Sequence, residues 1–249
     1  MRILCTNDDG ITAAGIALNI EVCSSLGEVD AVAPDRNQSA TSHSLTLYKP
    51  IRPSVMAPRR WSVDGTPTDC VLLALGALLG HRPDVVVSGV NHGPNMGEDV
   101  FYSGTVAAAM EGVSLGVPAI ALSFAGSDYG LFPTWKEPLK RLLASILKQQ
   151  PFPPSTLLNI NLPPIDGSTV KGVRVTRLGS RVYEQSLQRQ KDPWGRDIFW
   201  IGGGNINWTG GPDSDFQAVH DGYISLTPLH LDLTHYSSLE PVRAWVLET

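Results

Sequence analysis

The chain is poor in basic residues, in cysteine and in long apolar runs. Nineteen Lys and Arg stand against 24 Asp and Glu in 249 residues, a formal charge of −5. The two signs are interspersed, so no basic stripe is available to follow a phosphate backbone, and a nucleic-acid duplex is excluded as a partner. Only three cysteines are present, Cys5, Cys23 and Cys70, widely spaced and without a CxxC. That excludes a disulfide framework and argues against a zinc cluster; the three read as small core hydrophobes in a reducing cytoplasm. The longest apolar stretch, CVLLALGALLG from Cys70, is too short to span a bilayer and reads as a buried helix. Only Ile3, Leu4 and Cys5 follow Met1-Arg2 before polar residues return, so no secretory leader is expected. No internal repeat or low-complexity segment occurs.

What is there is a 42% hydrophobic chain, long enough for one large domain. Residues 2–6 read as a strand, 13–26 as a helix stopped by Gly27, and 29–33 as a second strand ended by Pro34. Residues 34–44 are almost without apolar side chains and read as a loop. Short strands are predicted near 45–48 and 61–63. Thr66-Pro67-Thr68-Asp69 carries the signals of a helix start, with the helix running to about Leu79. Asp84 to Ser88 reads as a buried parallel strand, 105–115 as a helix, 119–123 as a strand, 135–149 as a helix and 157–161 as a strand. The alternation implies a Rossmann-like, doubly wound, mainly parallel α/β sheet. Residues 1–165 are the expected core of a single domain spanning 1–249. From Gly172 the pattern changes to strand and hairpin. Residues 183–216 gather Tyr183, Trp194, Phe199, Trp200, Trp208 and Phe216 and read as an extended β-hairpin arm, with Asp192-Pro193-Trp194-Gly195 as a turn. A short C-terminal helix is expected over 239–247.

Ligands of such sheets sit at the carboxyl ends of the strands, and four polar segments should meet there. Asp8-Asp9 follows the first strand. Two adjacent carboxylates repel each other, and their desolvation is costly without a compensating cation. They suit a hard divalent ion held by oxygen ligands, although a solvated turn accounts for them equally well in isolation. Ser103-Gly104-Thr105 opens a helix whose free N–H groups can seat a phosphate, or Ser103 simply caps it. Asn91 and Asn95 leave the DVVVS strand in a glycine-rich loop, as turn formers or as amide ligands. His92 and His43 are weaker candidates for a general acid. Asp64 and Asp69 read as caps, and Lys49, Arg52, Arg59 and Arg60 as a solvated face.

TNDDGI, PDRNQSA, GTPTDC, VSGVNHGPNMGEDVFYSGTVAAAMEG and DGYISLTPLHLDLT occur in this order along nearly the whole chain. In these motifs it resembles the SurE (survival protein E) family of 5'-nucleotidases. The resemblance implies one divalent metal ion per subunit, Mg²⁺ or Mn²⁺, held by Asp8, Asp9, Ser39 and Asn91. It implies phosphate contacts from Asn95, Ser103, Gly104 and Thr105, with Asp8 and Asn95 as catalytic residues. It further implies hydrolysis of nucleoside 5'-monophosphates, with 3'-nucleotides and short polyphosphate as further substrates, and a homodimer or homotetramer formed through the hairpin and a swapped C-terminal segment. A metal-activated water is the favoured nucleophile, with attack by Asp8 itself the alternative. One departure is Ser42, which stands where the family often has Gly and is expected to stiffen or shift the loop carrying Ser39. Residues 184–215 are less recognisable and carry no substrate preference over from the family.

Rival readings lack their own residues. A phospho-signalling receiver needs an Asp where this chain has Ser88-Gly89. A dinucleotide-binding module needs GxGxxG where it has NDDGITAAG. The haloacid dehalogenase-type phosphatases need DxD rather than adjacent acids.

Overall fold

The computed structural model describes residues 1–149, 152–183, 187–201 and 206–247. Up to residue 162 strands and helices alternate, with an added edge strand β3: β1 (Arg2–Thr6), α1 (Ala14–Ser24), β2 (Glu28–Pro34), β3 (Pro53–Ala57), β4 (Arg60–Val63), α2 (Pro67–Leu73), β5 (Val85–His92), α3 (Gly104–Ser114), β6 (Ala119–Phe124), α4 (Phe132–Leu147) and β7 (Thr156–Leu162). There follow β8 (Val173–Val175), β9 (Ser180–Tyr183), β10 (Leu187–Lys191), β11 (Asp197–Ile201), β12 (Ile206–Thr209), α5 (Asp215–His220), β13 (Ile224–His230) and α6 (Leu239–Leu247).

One nine-stranded sheet has the order β3-β4-β2-β1-β5-β6-β7-β13-β8. Its centre is parallel, and β13 runs antiparallel to β7. The two-residue period of a strand divides the core. Ile3 and Cys5 face the layer holding α1 and α4, while Leu4 faces the layer holding α2 and α3. Helix α4 buries Phe132, Trp135, Leu139, Leu143 and Leu147, a stripe at helical spacing, against the first layer. Helix α2 starts on a reciprocal capping box: Asp69 N–H donates to Thr66 Oγ1 at 3.1 Å, and Thr66 N–H to Asp69 Oδ2 at 2.8 Å. From Ala74 to Leu78 this helix continues as a π-helical turn.

Several sequence expectations give way. No strand forms at 45–48; the edge strand is β3, at 53–57, joined to β4 through a turn at Arg59 with φ +63°. The sheet does not end at residue 165, because β8 and β13 both belong to it. The three residues of β8 and the mixed polar sequence of β13 gave no apolar run to read, and α5 was missed for the same reason. Strands β8 and β9 do not form a hairpin together: β8 pairs β13, whereas β9 pairs β12. The hairpin proper is β10–β11, closed by the turn at 192–195, where Gly195 N–H donates to Asp192 O at 2.9 Å and Trp194 is 78% exposed. Of the arm aromatics, Trp208 stacks on Phe216 at 5.6 Å inside the fold, whereas Trp194, Phe199 and Trp200 lie exposed. Arg59 is no idle surface cation either: its guanidinium grips buried Asp30 through Nε at 2.9 Å and Nη2 at 3.0 Å.

Candidate active site

Strand order reverses at β1, with β2 on one side and β5 on the other. The acid pair leaves β1 at this switch point, where an open α/β sheet forms its crevice. Asn7, buried, closes the turn: its Nδ2 donates to Gly10 O at 3.0 Å and its Oδ1 accepts from Gly10 N–H at 3.2 Å. Gly10 sits at φ +104°, and an added Cβ there would lie 3.2 Å from the Arg36 backbone, so this corner needs glycine. Gln38 N–H donates to Asp8 O at 2.7 Å, tying the acid turn to the loop after β2.

Asp8 is 3% exposed and Asp9 is half-buried. Asp8 Oδ1 accepts from the Thr105 hydroxyl at the start of α3. Gly104 makes that approach possible, because a Cβ on it would stand 2.8 Å from Asp8 Cβ and 3.1 Å from Oδ2. Asp9 Oδ2 accepts from His92 N–H at 2.9 Å, and Asp9 Oδ1 from Asn37 Nδ2 at 3.3 Å. Burial pushes the Asp8 carboxyl up to about 6; the Thr105 hydroxyl and backbone N–H oppose the rise, and the neighbouring charge of Asp9 adds to it. Among the described residues no Lys or Arg pairs with either carboxylate, and the nearest ionisable base is His92, with Nδ1 3.9 Å from Asp9 Oδ2.

The structure brings most of the candidate ligands to this one edge. A bulge between Ser88 and Asn91 breaks the register of β5 against β6 just before Asn91. Asn91 is 8% exposed and its Nδ2 donates to Gly93 O at 2.9 Å, which leaves its Oδ1 outside that bond. Ser39 is exposed in the 34–44 loop, its N–H bonded to Asn37 Oδ1 at 2.8 Å; the same Asn37 holds Asp9. Ser42 occupies the left-handed region at φ +55°, which explains why Gly serves there; its Oγ donates to Phe101 O at 2.6 Å, pinning the loop to the segment before α3. Ser103 caps α3 by accepting from Val106 N–H at 3.1 Å. Thr105 therefore faces Asp8 with its hydroxyl, and Ser103 uses an oxygen lone pair for capping. Asn95 is 5% exposed, with its Nδ2 donating to Ser123 Oγ at 2.8 Å.

The two histidines part company. His92 Nε2 accepts from Gly15 N–H at 3.2 Å, so its ring proton lies on Nδ1, toward Asp9. The ring also stacks on Tyr129 at 4.1 Å, and the His92 backbone N–H supports Asp9. His43 meets Glu111 Oε2 at 2.9 Å, on the side of α3. Asp64 and Asp69 are structural: Asp64 accepts from Arg52 N–H at 2.6 Å, and Asp69 holds Thr46 as well as Thr66. Sequence reasoning missed Asn7, Asn37, Ser123, Asn159 and Asn161. The NxN pattern in LLNINL was the available signal, since amides are out of place in a buried strand.

The family described as Survival protein SurE matches residues 3–185. The chain is 61% identical over 248 residues to the 5'-nucleotidase SurE of Gemmatimonas aurantiaca, covering 98% of each chain. It is 47% identical to the 5'-nucleotidase SurE of Geobacter metallireducens, over 98% of this chain and 97% of that one. A crystal structure of the SurE protein from Aquifex aeolicus superposes with a TM-score of 0.89, at 40% identity and with both chains wholly covered. Sequence and fold agree, and the chain belongs to the SurE family.

Proposed function

We propose that this protein is a divalent-metal-dependent phosphomonoesterase acting on nucleoside 5'-monophosphates. The observation that carries the metal is the buried carboxylate pair without a cationic side chain. Asp8 and Asp9 lie side by side at the switch point, and neither is neutralised by Lys or Arg among the described residues. Asp8, Asp9, Ser39 and Asn91 offer oxygen donors alone. Among the described residues no group of three or more His, Cys, Asp or Glu forms a rival site. That donor set fits Mg²⁺ or Mn²⁺, one per subunit, and not structural zinc. When bound, such an ion supplies Lewis acidity to the phosphate and acidifies a coordinated water.

The chain's own residues do the rest. Thr105 fixes Asp8 through Oδ1, and Asn37 and the His92 backbone fix Asp9. Water attacks phosphorus in line, opposite the nucleoside oxygen; the P–O bond to that oxygen breaks, and a proton given up by the water ends on the departing nucleoside hydroxyl. Charge spreads over the equatorial phosphoryl oxygens, where Asn95, the Ser103 hydroxyl and the first N–H groups of α3 hold them. The substrate class is supported by relatives named 5'-nucleotidase at 61% and 47% identity. Activity on 3'-nucleotides and short polyphosphate belongs to the same proposal, because the recognised group is the phosphoryl end. So does residence in the cytoplasm, which suits three free buried cysteines. No helix among the described residues is long and apolar enough to cross a membrane.

The test is phosphate release from 5'- and 3'-nucleotides, tripolyphosphate and an aryl phosphate. Activity is expected to vanish with chelator and to return with Mn²⁺ or Mg²⁺. Full turnover by a verified metal-free preparation would overturn the metal, and release from the aryl phosphate but from no nucleotide would overturn the substrate class.

A further inference from the structure

Asn95 is held by four buried hydrogen bonds that reach it from two strands. Its N–H donates to Asn161 Oδ1 at 2.8 Å, and Asn161 Nδ2 donates back to Asn95 O at 3.0 Å. Asn159 Nδ2 donates to the same carbonyl at 2.8 Å, and Asn95 Nδ2 donates to Ser123 Oγ at 2.8 Å. Ser123 on β6 and Asn159 and Asn161 on β7 are fully buried. Ser123 and Asn161 are register partners, and Asn159 stands two residues along on the same face.

Three fully buried polar side chains on two neighbouring strands are an expensive way to tether a loop. Each must be desolvated, and Asn159 Oδ1 has no hydrogen-bond partner. A plain anchor was available more cheaply: two residues earlier, Gly93 N–H simply donates to Phe124 O at 3.1 Å. The clamp at Asn95 does more than anchor. Asn161 presents a donor and an acceptor in one plane, as a neighbouring strand would, and so fixes the Asn95 peptide. Ser123 then fixes the rotation of the Asn95 side chain. The clamp engages one of the two Nδ2 hydrogens and leaves Oδ1 and the other hydrogen to the crevice.

We propose that Asn161, Asn159 and Ser123 are positioning residues for Asn95, holding its amide against a phosphoryl oxygen of the substrate. This rests on the phosphate role proposed for Asn95 above. A donor already in place costs no reorganisation as charge develops, so loosening it lowers the rate and weakens phosphate binding without touching the acid pair. Strands β6 and β7 thereby act on a reaction at the end of β1, through one loop residue.

The experiment uses the full-length protein with Mn²⁺ and adenosine 5'-monophosphate as probe, and inorganic phosphate as competing product. Asn161→Ala and Ser123→Ala are expected to lose about tenfold or more in kcat/KM and to weaken phosphate inhibition, with half-saturating Mn²⁺ within about twofold of wild type. In the Asn95→Ala background, Asn161→Ala should cost less than about twofold further, since the two act on one contact. Ser225→Ala, which removes a buried hydroxyl beside Asn161 that has no partner, is the packing control and should keep wild-type kinetics. If Asn161→Ala does not fold, Ser123→Ala, which deletes one oxygen, carries the test. Wild-type kinetics in folded Ser123→Ala and Asn161→Ala, with Asn95→Ala crippled, would overturn the positioning role and spare the phosphate reading. An undiminished Asn161→Ala loss in the Asn95→Ala background would overturn it too, as general damage. Wild-type kinetics in Asn95→Ala would overturn the phosphate reading itself.

Discussion

Asp8 combines burial, a like charge next door and a single hydroxyl-bearing neighbour, and these set its behaviour without a cation. Its carboxyl is raised from an ordinary 3.8 to about 6 in the folded chain. A raised folded value means that the protonated form stabilises the fold. That contribution is complete below about pH 4 and is lost as pH rises through about 6. In chelator at pH 8, Asp8→Asn should therefore be more stable than wild type, by up to roughly 3 kcal/mol for a shift of about two units. At pH 3 the two should melt together. With saturating Mn²⁺ the order should reverse at pH 8, because the ion stabilises only the chain that binds it. Turnover in Asp8→Asn should fall by about a hundredfold or more, since electrostatics at a metal site are worth several kcal/mol. Melting curves at the two pH values check the first claim, and equal stability at pH 8 in chelator would show that Asp8 is not the strained group.

At the scale of elements, the site depends on two helix starts and a bulged strand. The N-terminus of α3 meets Asp8, and Pro67 of α2 packs beside Gly104. Asp69 holds α2 in place from below: it closes the capping box and also accepts from Thr46 N–H at 3.0 Å and from the Thr46 hydroxyl. Asp69→Ala should cost about 2–4 kcal/mol in urea unfolding, more than the loss of a simple cap, because two segments lose their buried acceptor. A loss under about 1 kcal/mol would reduce Asp69 to an ordinary cap. The sequence reading reached the capping box because its spacing is local. It did not reach Thr46, which lies 23 residues away, before β3 and β4.

For the whole molecule, the exposed apolar surface is the outstanding feature. Trp194, Phe199, Trp200 and Ile201 on the hairpin are 78%, 60%, 61% and 89% exposed, and Trp245 on α6 is 72% exposed. A lone chain rarely leaves so many large apolar side chains in water. Burial against a second copy by two-fold exchange is the economical remedy, so at least a dimer is expected at micromolar concentration. The hairpin aromatics and α6 are the proposed contact, in a homodimer or homotetramer. Replacing residues 187–201 by a short Gly-Ser linker should give smaller particles in sedimentation while sparing Trp208, which packs on Phe216. A monomeric full-length protein would remove the exchange.

The sequence by itself determined the strand–helix alternation of the first 162 residues, apart from the edge strand β3, and the position of Asp8-Asp9 at its first turn. It also determined the helix starts at Thr66 and Ser103. Each of these rests on neighbours within a few residues, where periodicity, capping and turn chemistry act. The resemblance in its motifs added the ligand set. Only the tertiary structure decided the rest. It placed β13 beside β7 and so extended the sheet past the apparent end of the core. It divided the arm aromatics into those packed within the fold and those left exposed. It bonded the His92 ring to Gly15 and stacked it on Tyr129. It set Asn161 against Asn95, 66 residues apart. The physical reason is the same throughout: a buried amide or carboxylate takes its meaning from the partner that satisfies it, and that partner is brought by sheet order rather than by nearness in the chain.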